Sequence, residues 1–575
     1  MYRTHTNGEL RISDVGKEVT LVGWVSKKRN LGSLVFIDLR DRYGYTQVLL
    51  NEDFPIANEI RNEYIIQVKG IVSKKEVANP KLATGEIEVV ANDVKIVNTA
   101  ELPPFIIADN TDALEDTRLK YRYLDLRRPV MQNMLINRAK IVRACHNFLD
   151  RNDFIEVETP ILCLSTPEGA RDYIVPSRIR NGSFYALPQS PQLFKQLLMV
   201  SGMERYYQVA RCFRDEDLRA DRQPDFTQID VETSFLSQDE IMTLGEGLIS
   251  EIWKEALGME VKGPFRRLKY DYCIDTYGSD KPDTRFGLEI HDVSEILKAS
   301  DFEVYKNAST VRAIVVPNIA STTSRKVQDN LDLTAKKFGI GKFGFFKYIN
   351  GKLESSLLKF INEELQEKLV KELALKENDL VIVGAGYRMR VCPCLGALRT
   401  EFGKELKLYD PNTYDFLWVV EFPLFDYNED TKEITPCHHP FTKPLDRDVH
   451  LLEEHPEKVY AAAYDIVING YEAGGGSLRI FDQKEQSKIF ELIGLTEEKI
   501  ERKFGWFVNA LKYGVPPHGG FALGLDRLAM LINKTDNIRD VIAFPKNLSA
   551  VCPMSNAPMP VDESQLEELG IEISK

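Results

Sequence analysis

The first hundred residues alternate between short apolar runs and polar turns. The runs VTLVGWV, SLVFIDLRD, TQVLL, YIIQVKGIV and EIEVVAND are rich in β-branched and aromatic residues, and turns rich in Gly, Asn and Lys separate them. Such runs are typical of short β-strands. About five strands in roughly a hundred residues predict a small barrel of the OB type.

Beyond this region the pattern changes several times. A polar, proline-containing segment (TAELPPFIIADNTDALEDTR) predicts a linker, and INRAKIVRACHNFLDRND then carries apolar residues at helical spacing before the strand FIEVETPIL. Later strands (VRAIVVP, GFFKYI, DLVIVGA) and a charged helix predict an inserted α/β domain. We therefore predict a barrel domain at 1–105, a linker at 106–130, a second domain at 131–282, the inserted domain at 283–412, and the rest of the second domain with a C-terminal extension at 413–575.

Composition agrees with several globular domains. The chain has 575 residues, 43% of them hydrophobic, and single cores rarely grow beyond ~300 residues. The apolar runs are shorter than the roughly 20 residues of a membrane span, and the N-terminus lacks a secretory pattern. We expect a cytoplasmic protein with no membrane partner. Cys392 and Cys394 have no second pair at zinc-site spacing, which favours reduced structural thiols.

The net charge of −13 argues against a broadly basic surface for nucleic acid. Two local basic stretches, Lys27-Lys28-Arg29 and RLKYRYLDLRR, fit either an RNA contact or ordinary solvated surface. Phe36, in a predicted barrel strand, fits either a base-stacking platform or the barrel core.

The segment YYQVARCFRDEDLRADRQPDFTQIDVETSF predicts two antiparallel strands joined by a long polar loop. Alternation in the second strand places Phe226, Gln228, Asp230 and Glu232 on one face. Burying such groups without partners costs a few kcal/mol each. That face should therefore meet either solvent or a polar ligand.

The run ALPQSPQLFKQLLMVSG predicts an amphipathic helix with Ser190 at the N-cap and Pro191 in the first turn. Its predicted buried stripe consists of Leu193, Phe194, Leu197 and Leu198. Gln192 and Lys195 lie near the helix N-terminus, which attracts anions, although a plain surface helix explains the pattern equally well.

Two later segments carry candidate phosphate chemistry. Asp465 and Glu472 are suitable Mg²⁺ ligands, but their odd spacing puts them on opposite faces of a flat strand unless a bulge intervenes, which we place at Asn469-Gly470. The glycines 474–476 fit either close approach to a ligand or a bulge. Arg527, inside the apolar GLDRLAMLI, predicts either a structural salt bridge or a phosphate contact.

Together these segments resemble the signature motifs of class II aminoacyl-tRNA synthetases. FIEVETP resembles motif 1, FRDED with DFTQIDVE motif 2, and GLDR motif 3. With TPEGARDY, QSPQLFKQ, CHHPFT and GYEAGGGSLRI, their order is similar to that of bacterial-type aspartyl-tRNA synthetases. The resemblance implies a multidomain α+β fold: an N-terminal OB-fold barrel, an antiparallel catalytic sheet flanked by helices, and an inserted α/β domain. It also implies a homodimer formed through motif 1.

The same resemblance implies a two-step reaction. ATP activates L-aspartate to aspartyl-adenylate, and the aspartyl group then passes to the 3′ end of tRNA(Asp). Arg214 and Arg527 would be catalytic, and Asp465 with Glu472 would hold Mg²⁺. The ATP site would comprise Arg214, Asp215, Glu216, Gln223, Phe226, Glu472, Gly524, Leu525, Asp526 and Arg527. The aspartate site would comprise Glu168, Ser190, Gln192, Lys195, Arg214, Asp230, His438 and Arg479.

In the barrel the resemblance implies anticodon reading by Arg29, Phe36, Gln47 and Glu88. Leu31 resembles enzymes that charge only tRNA(Asp) more than those with His there. Two alternatives are an asparaginyl enzyme, which Lys195 and the insertion disfavour, and a non-catalytic RNA-binding relative. Arg214, Glu472 and Arg527 argue against the second.

Overall fold

A computed structural model describes residues 2–51, 54–166, 170–427 and 433–574 of the chain. Contacts divide it into two compact units. The first combines Met1–Ala139 with Asp217–Pro224 and Asn533–Gln565. The second contains Lys140–Glu216, Asp225–Ile532 and Leu566–Lys575.

The first unit contains the predicted barrel, which is closed in the strand order β1-β2-β3-β5-β4. Its core consists of alternate strand residues such as Leu21, Ile37 and Val68, all fully buried. This alternation explains why the barrel was readable from the sequence. The strands are β1 (Glu18–Leu31), β2 (Leu34–Asp41), β3 (Gly44–Leu50), β4 (Ile65–Lys74) and β5 (Ile87–Asn98).

Within the described ranges, the second unit is organised around an eight-stranded sheet, in the order β11-β17-β20-β21-β22-β10-β9-β6. Its pairs are antiparallel except β11 with β17 and β6 with β9, at the two edges. The strands are β6 (Ile155–Glu156), β9 (Arg205–Phe213), β10 (Asp225–Ser234), β11 (Arg266–Lys269), β17 (Phe416–Val420), β20 (Ala463–Ile468), β21 (Tyr471–Leu478) and β22 (His518–Gly524).

A separate five-stranded sheet in the same unit has the order β12-β13-β16-β14-β15. Its strands are β12 (His291–Asp292), β13 (Thr310–Val316), β14 (Gly344–Ile349), β15 (Lys352–Glu354) and β16 (Leu380–Gly386). Two further hairpins pair β7 (Ile174–Pro176) with β8 (Phe184–Ala186), and β18 (Phe425–Tyr427) with β19 (Ile434–Pro436).

Several of the longer helices begin at polar residues whose side chains accept hydrogen bonds from the first turn. Before α5, for example, Ser237 and Glu240 form a reciprocal capping box, and Gly258 ends the helix with a left-handed φ of 67°. The helices are α1 (Glu115–Lys120), α2 (Arg122–Asp125), α3 (Pro129–Arg151), α4 (Gln192–Val200), α5 (Gln238–Leu257), α6 (Tyr270–Tyr277), α7 (Ser294–Leu297), α8 (Glu303–Lys306), α9 (Arg325–Lys337), α10 (Glu363–Glu372), α11 (Arg388–Glu405), α12 (Gln483–Leu492), α13 (Glu497–Ala510), α14 (Leu525–Asn533) and α15 (Glu563–Leu569).

Some predicted boundaries were wrong. The strand predicted in FIEVETPIL contains only Ile155–Glu156, and α3 begins at Pro129, earlier than its apolar spacing suggested. Proline fits the first turn of a helix because the missing N–H would have no partner there. No helix of the described residues is both long and apolar enough to cross a membrane.

Candidate active site

Four charged side chains meet at β10 of the eight-stranded sheet. Lys195 Nζ lies 2.6 Å from Asp230 Oδ1 and 3.2 Å from Glu232 Oε2. Arg479 forms a two-pronged contact with Glu232, through Nε at 2.9 Å and Nη2 at 3.1 Å. Each of the four residues is at most 2% exposed. Two cations thus balance two carboxylates in an almost dry environment.

This charged cluster decides between the two interpretations of the polar face on β10. Asp230 and Glu232 do not face solvent; they are buried against cations from α4 and from the segment after β21. Glu232 lies on the predicted polar face, but it was not among the predicted site residues. Its partner Arg479 is distant in sequence, so the strand pattern held no signal for the pair.

The beginning of α4 also differs from the prediction. The helix starts at Gln192 with Pro191 as its N-cap, and Ser190 Oγ accepts a hydrogen bond from the Gln192 backbone N–H at 3.3 Å. Its buried residues are Gln192, Leu193, Lys195, Gln196 and Met199. Of the predicted stripe, Leu193 is buried, whereas Phe194, Leu197 and Leu198 are partly buried, and Leu197 packs against the same apolar cluster as Leu193. The buried side of the helix also carries Lys195, which joins the charged cluster.

Two adjacent histidines contact different parts of the site. His439 Nε2 lies 2.8 Å from Arg479 Nη1. Burial lowers the pKa of His439 well below its usual value, and Arg479 lowers it further. The neutral ring therefore accepts this hydrogen bond. His438 lies 3.7 Å from Asp465, and its predicted contact with aspartate stays a prediction.

Asp465 and Glu472 lie on neighbouring strands, not on the single strand assumed from the sequence. Asn469 and Gly470, both with positive φ (52° and 83°), form the turn between β20 and β21. Positive φ at both positions is typical of a tight hairpin turn. The irregularity falls between Ile466 and Val467 rather than at the turn, so the predicted position of the bulge was wrong.

This hairpin brings the two carboxylates into electrostatic contact. The negative charge of Asp465 raises the pKa of Glu472, and burial raises it further. Gly475 faces Asp465 across the strands, and a side chain there would begin 2.1 Å from Asp465 Oδ1. The middle glycine therefore leaves room for this carboxylate. Two carboxylates that repel each other suit a divalent cation.

Arginines from motifs 2 and 3 lie beside aromatic rings. The Arg214 guanidinium lies 5.1 Å from the centre of the Phe226 ring, and that of Arg527 lies 5.4 Å from the centre of the Tyr471 ring. Asp526 is buried and accepts a hydrogen bond from the Thr227 backbone N–H at 2.9 Å, which joins the start of α14 to β10.

The other residues predicted to bind ATP or aspartate lie on several different elements. Asp215 pairs with Arg171 in an isolated β-bridge, and its neighbour Glu216 follows it in the loop after β9. Gly524 ends β22, opposite Gln228 on β10, and Leu525 begins α14. Glu168 lies outside the described residues.

Gln223 belongs to the first unit, in which its side-chain amide forms reciprocal hydrogen bonds with the backbone of Lys546, both at 2.9 Å. Both ends of this amide therefore already have partners within the protein. Its predicted contact with ATP stays a prediction.

The four predicted anticodon residues lie on the outer face of the barrel. Phe36 pairs with Arg29 across β1 and β2, is half-buried, and points away from the buried Ile37. Gln47 Nε2 donates to Glu88 at 2.8 Å. The alternation of β2 thus favours an exposed platform over a core position for Phe36.

Several buried atoms of predicted site residues make no hydrogen bond with the described part of the chain. They include Gln192 Nε2, Arg214 Nε, Asp230 Oδ2 and His438 Nδ1. Buried polar groups almost always have partners, and leaving one unpaired costs ~1–3 kcal/mol. Asp230 belongs to the charged cluster, and Gln192 lies one helical turn before Lys195 in α4, so their open atoms indicate a binding site for a polar ligand.

The fold and this site identify the class of protein to which the chain belongs. A model of the class II tRNA synthetases (D, K and N) matches residues 114–548, and a model of the OB-fold nucleic acid binding domain matches residues 19–97. The asparaginyl-tRNA synthetase of Pyrococcus horikoshii in complex with asparaginyl-adenylate shares the fold, with a TM-score of 0.59 at 20% identity over 93% of this chain and 96% of that one. The aspartyl-tRNA synthetase of Entamoeba histolytica has a TM-score of 0.58, also at 20% identity, over 94% and 90%.

Curated relatives narrow the class to a family. The Aspartate--tRNA(Asp/Asn) ligase of Geobacillus sp. (strain WCH70) is 51% identical over 100% of this chain and 98% of its own length. That of Bacillus mycoides (strain KBAB4) is 52% identical over 100% and 99%. The chain belongs to the aspartate–tRNA ligases, ATP-dependent class II synthetases that charge tRNA with aspartate.

Proposed function

We propose that the charged cluster binds the side chain of L-aspartate. The observation that carries this proposal is the pair of fixed cations, Lys195 and Arg479, beside buried polar atoms that make no hydrogen bonds. Lys195 has three N–H donors, and its contacts with Asp230 and Glu232 occupy two. The third is suited to the substrate β-carboxylate.

Arg479 would provide the second contact through Nη1. This nitrogen now donates to two neutral acceptors, His439 and Ser477. A carboxylate would replace them favourably, because charge-assisted hydrogen bonds are roughly twice as strong as neutral ones. Asparagine would direct N–H donors at donors, a mismatch that costs several kcal/mol. The ammonium of aspartate would bind Gln192, Asp230 and Glu168, with Ser190 near its α-carboxylate.

In the first step the α-carboxylate oxygen attacks the α-phosphorus of ATP and pyrophosphate leaves. We propose that Arg214 neutralises charge on both reacting groups while Phe226 and Arg527 flank the adenine. Arg214 suits this role because its buried Nε is available to an anionic ligand. Asp465 and Glu472 fit Mg²⁺, since a divalent cation would relieve their mutual repulsion and supply charge neutralisation at the phosphates.

A homodimer is supported by exposed apolar side chains in motif 1 and just after it. Ile155, Ile161, Leu162 and Leu164 are 43–51% exposed, and contiguous exposed apolar residues commonly mark protein interfaces. We propose that a second copy of the chain covers them, and that the enzyme acts in the cytoplasm. Sedimentation of wild type and Leu162→Glu tests the assembly: a monomeric wild type would refute it.

We also propose the domain division 1–105, 106–130, 131–282, 283–412 and 413–575. The support is that the five-stranded sheet lies wholly between His291 and Gly386. Arg29, Phe36, Gln47 and Glu88 would contact the anticodon from the barrel, since unstacked bases suit aromatic stacking with hydrogen bonds to their edges.

The decisive experiment is ATP–pyrophosphate exchange by the purified protein with each proteinogenic amino acid in turn. Exchange with aspartate alone is expected. Exchange with asparagine instead would refute the proposed pocket chemistry.

Two tRNAs are candidate substrates, tRNA(Asp) and tRNA(Asn). Leu31, exposed in the β1–β2 hairpin, favours tRNA(Asp) alone, whereas the relatives' names include both tRNA(Asp) and tRNA(Asn). We propose tRNA(Asp). Aminoacylation of the two transcripts with labelled aspartate distinguishes these specificities.

A further inference from the structure

The loop between α6 and β12, residues 278–287 (GSDKPDTRFG), is positioned by the long helix α11. Gly278 ends α6 with a φ of 68°, and a side chain there would begin 2.1 Å from the carbonyl oxygen of Cys392 in α11. Because any other residue would clash with the α11 backbone, the loop leaves α6 in close contact with α11.

A buried arginine of α11 then fixes the middle of the loop. Arg399 is 1% exposed and donates to the carbonyl oxygens of Asp283 and Phe286, both at 2.8 Å. Its guanidinium also lies 4.1 Å from the centre of the Phe286 ring. Arg285 clamps the Asp283 carboxylate through Nε at 2.9 Å and Nη2 at 2.7 Å. These contacts give the loop a defined backbone.

The fixed loop packs against the hairpin that carries the two carboxylates. At Gly470, in the β20–β21 turn, a side chain would begin 3.0 Å from Asp283 Cβ. Glu472 follows two residues later. Lys281 lies two residues before Asp283 in the same loop, so the contact at Gly470 places this cation next to the turn that leads into Glu472.

The Lys281 side chain remains available to bind a ligand. Its side chain is 44% exposed, and its Nζ lies 3.5 Å from the adjacent Asp280, in an ion pair exposed on both sides. Such pairs contribute little to stability. The loop thus places an accessible ammonium next to the hairpin that carries the two carboxylates of the candidate phosphate site.

We propose that Lys281 binds the terminal phosphates of ATP and the pyrophosphate product, on the side of the site formed by Asp465 and Glu472. This inference rests on the proposed ATP site and adds a residue to it. Lysine suits the role because it binds phosphate as a compact point charge. The inserted segment would contribute to catalysis indirectly, since Arg399 holds the loop.

The test compares Lys281→Ala, Lys281→Arg and wild type in ATP–pyrophosphate exchange, with Lys326→Ala on the exposed surface of α9 as the matched control. We expect Lys281→Ala to raise KM for pyrophosphate and for ATP about tenfold, as loss of one charged hydrogen bond does. The arginine variant should retain most of the binding, and KM for aspartate should not change.

A second measurement separates phosphate binding from general damage. A sulfamate analogue of aspartyl-adenylate lacks the terminal phosphates, so wild type and Lys281→Ala should bind it equally in calorimetry. Unchanged KM for both pyrophosphate and ATP would overturn the inference, as would weakened binding of the analogue. A wild-type protein without aspartate-dependent exchange would instead refute the proposed function.

Discussion

Lys195 and Asp230 form an ion pair of 2.6 Å in which each residue is at most 2% exposed. Removing one partner from a buried pair leaves an uncompensated charge, which typically costs ~3–5 kcal/mol. Lys195→Ala should therefore lower the free energy of unfolding by about this amount and also erode the preference for aspartate over asparagine. Urea unfolding and competitive exchange measure the two effects, with Lys326→Ala as control. If the variant kept full stability and full selectivity, Lys195 would have neither of these roles.

Arg479→Lys should separate substrate binding from charge balance. A lysine keeps a positive charge near Glu232 but loses the planar fork that contacts Glu232, Ser477 and His439 simultaneously. We expect KM for aspartate to rise about tenfold or more, which corresponds to ~1.5–3 kcal/mol for a charged hydrogen bond, while KM for ATP stays near the wild-type value. Steady-state exchange at varied aspartate and varied ATP measures both. Equal losses for the two substrates would contradict a specific role toward aspartate.

The outcome for this cluster shows which features local sequence can reveal. The barrel was predictable because buried and exposed residues alternate along its strands. Glu232 was visible as part of a polar face, but its meaning depends on Lys195 and Arg479, which arrive from other elements. Likewise, the spacing of Asp465 and Glu472 predicts opposite faces only for one flat strand, whereas the chain turns back at Asn469-Gly470. An Asn-Gly pair between apolar runs is a local hairpin signal, so this turn was predictable, while pairing across distant segments sets the contacts of Glu232.

Glu232 makes the stability depend on acid pH. Burial alone would raise its pKa, but Arg479 and Lys195 lower it from 4.5 to about 2. A depressed folded pKa contributes stability that is complete above the unfolded value and is lost as pH falls toward the folded one. The contribution is about 3 kcal/mol, lost between about pH 4.5 and pH 2. Denaturant unfolding of wild type at stepped pH should show this loss, and Glu232→Gln should show a shallower pH dependence. Parallel profiles would refute the assignment.

Glu472→Gln should uncouple activity from stability. Asp465 raises the pKa of Glu472 by repulsion, so neutralising Glu472 removes an unfavourable contact. The variant should unfold at the same temperature as wild type, or higher, yet lose most of its exchange activity and require more Mg²⁺. Exchange in a Mg²⁺ titration, after treatment with a chelator, measures the second effect. Asp329→Asn, which neutralises an exposed carboxylate on α9, is the matched control. An unaltered Mg²⁺ requirement would argue against metal binding by this pair.

Phe36→Ala should impair tRNA recognition without affecting amino-acid activation. Phe36 lies on the outer face of the barrel beside Arg29, whereas the core is formed by the opposite face of β2. Loss of a stacked base typically costs ~1–3 kcal/mol, so KM for tRNA(Asp) should rise about tenfold to a hundredfold. Exchange, which needs no anticodon, should be unchanged, and Ile37→Ala provides the contrasting core variant, which should destabilise the barrel instead. If Phe36→Ala lowered the unfolding temperature as much as Ile37→Ala and left aminoacylation kinetics intact, the residue would be structural.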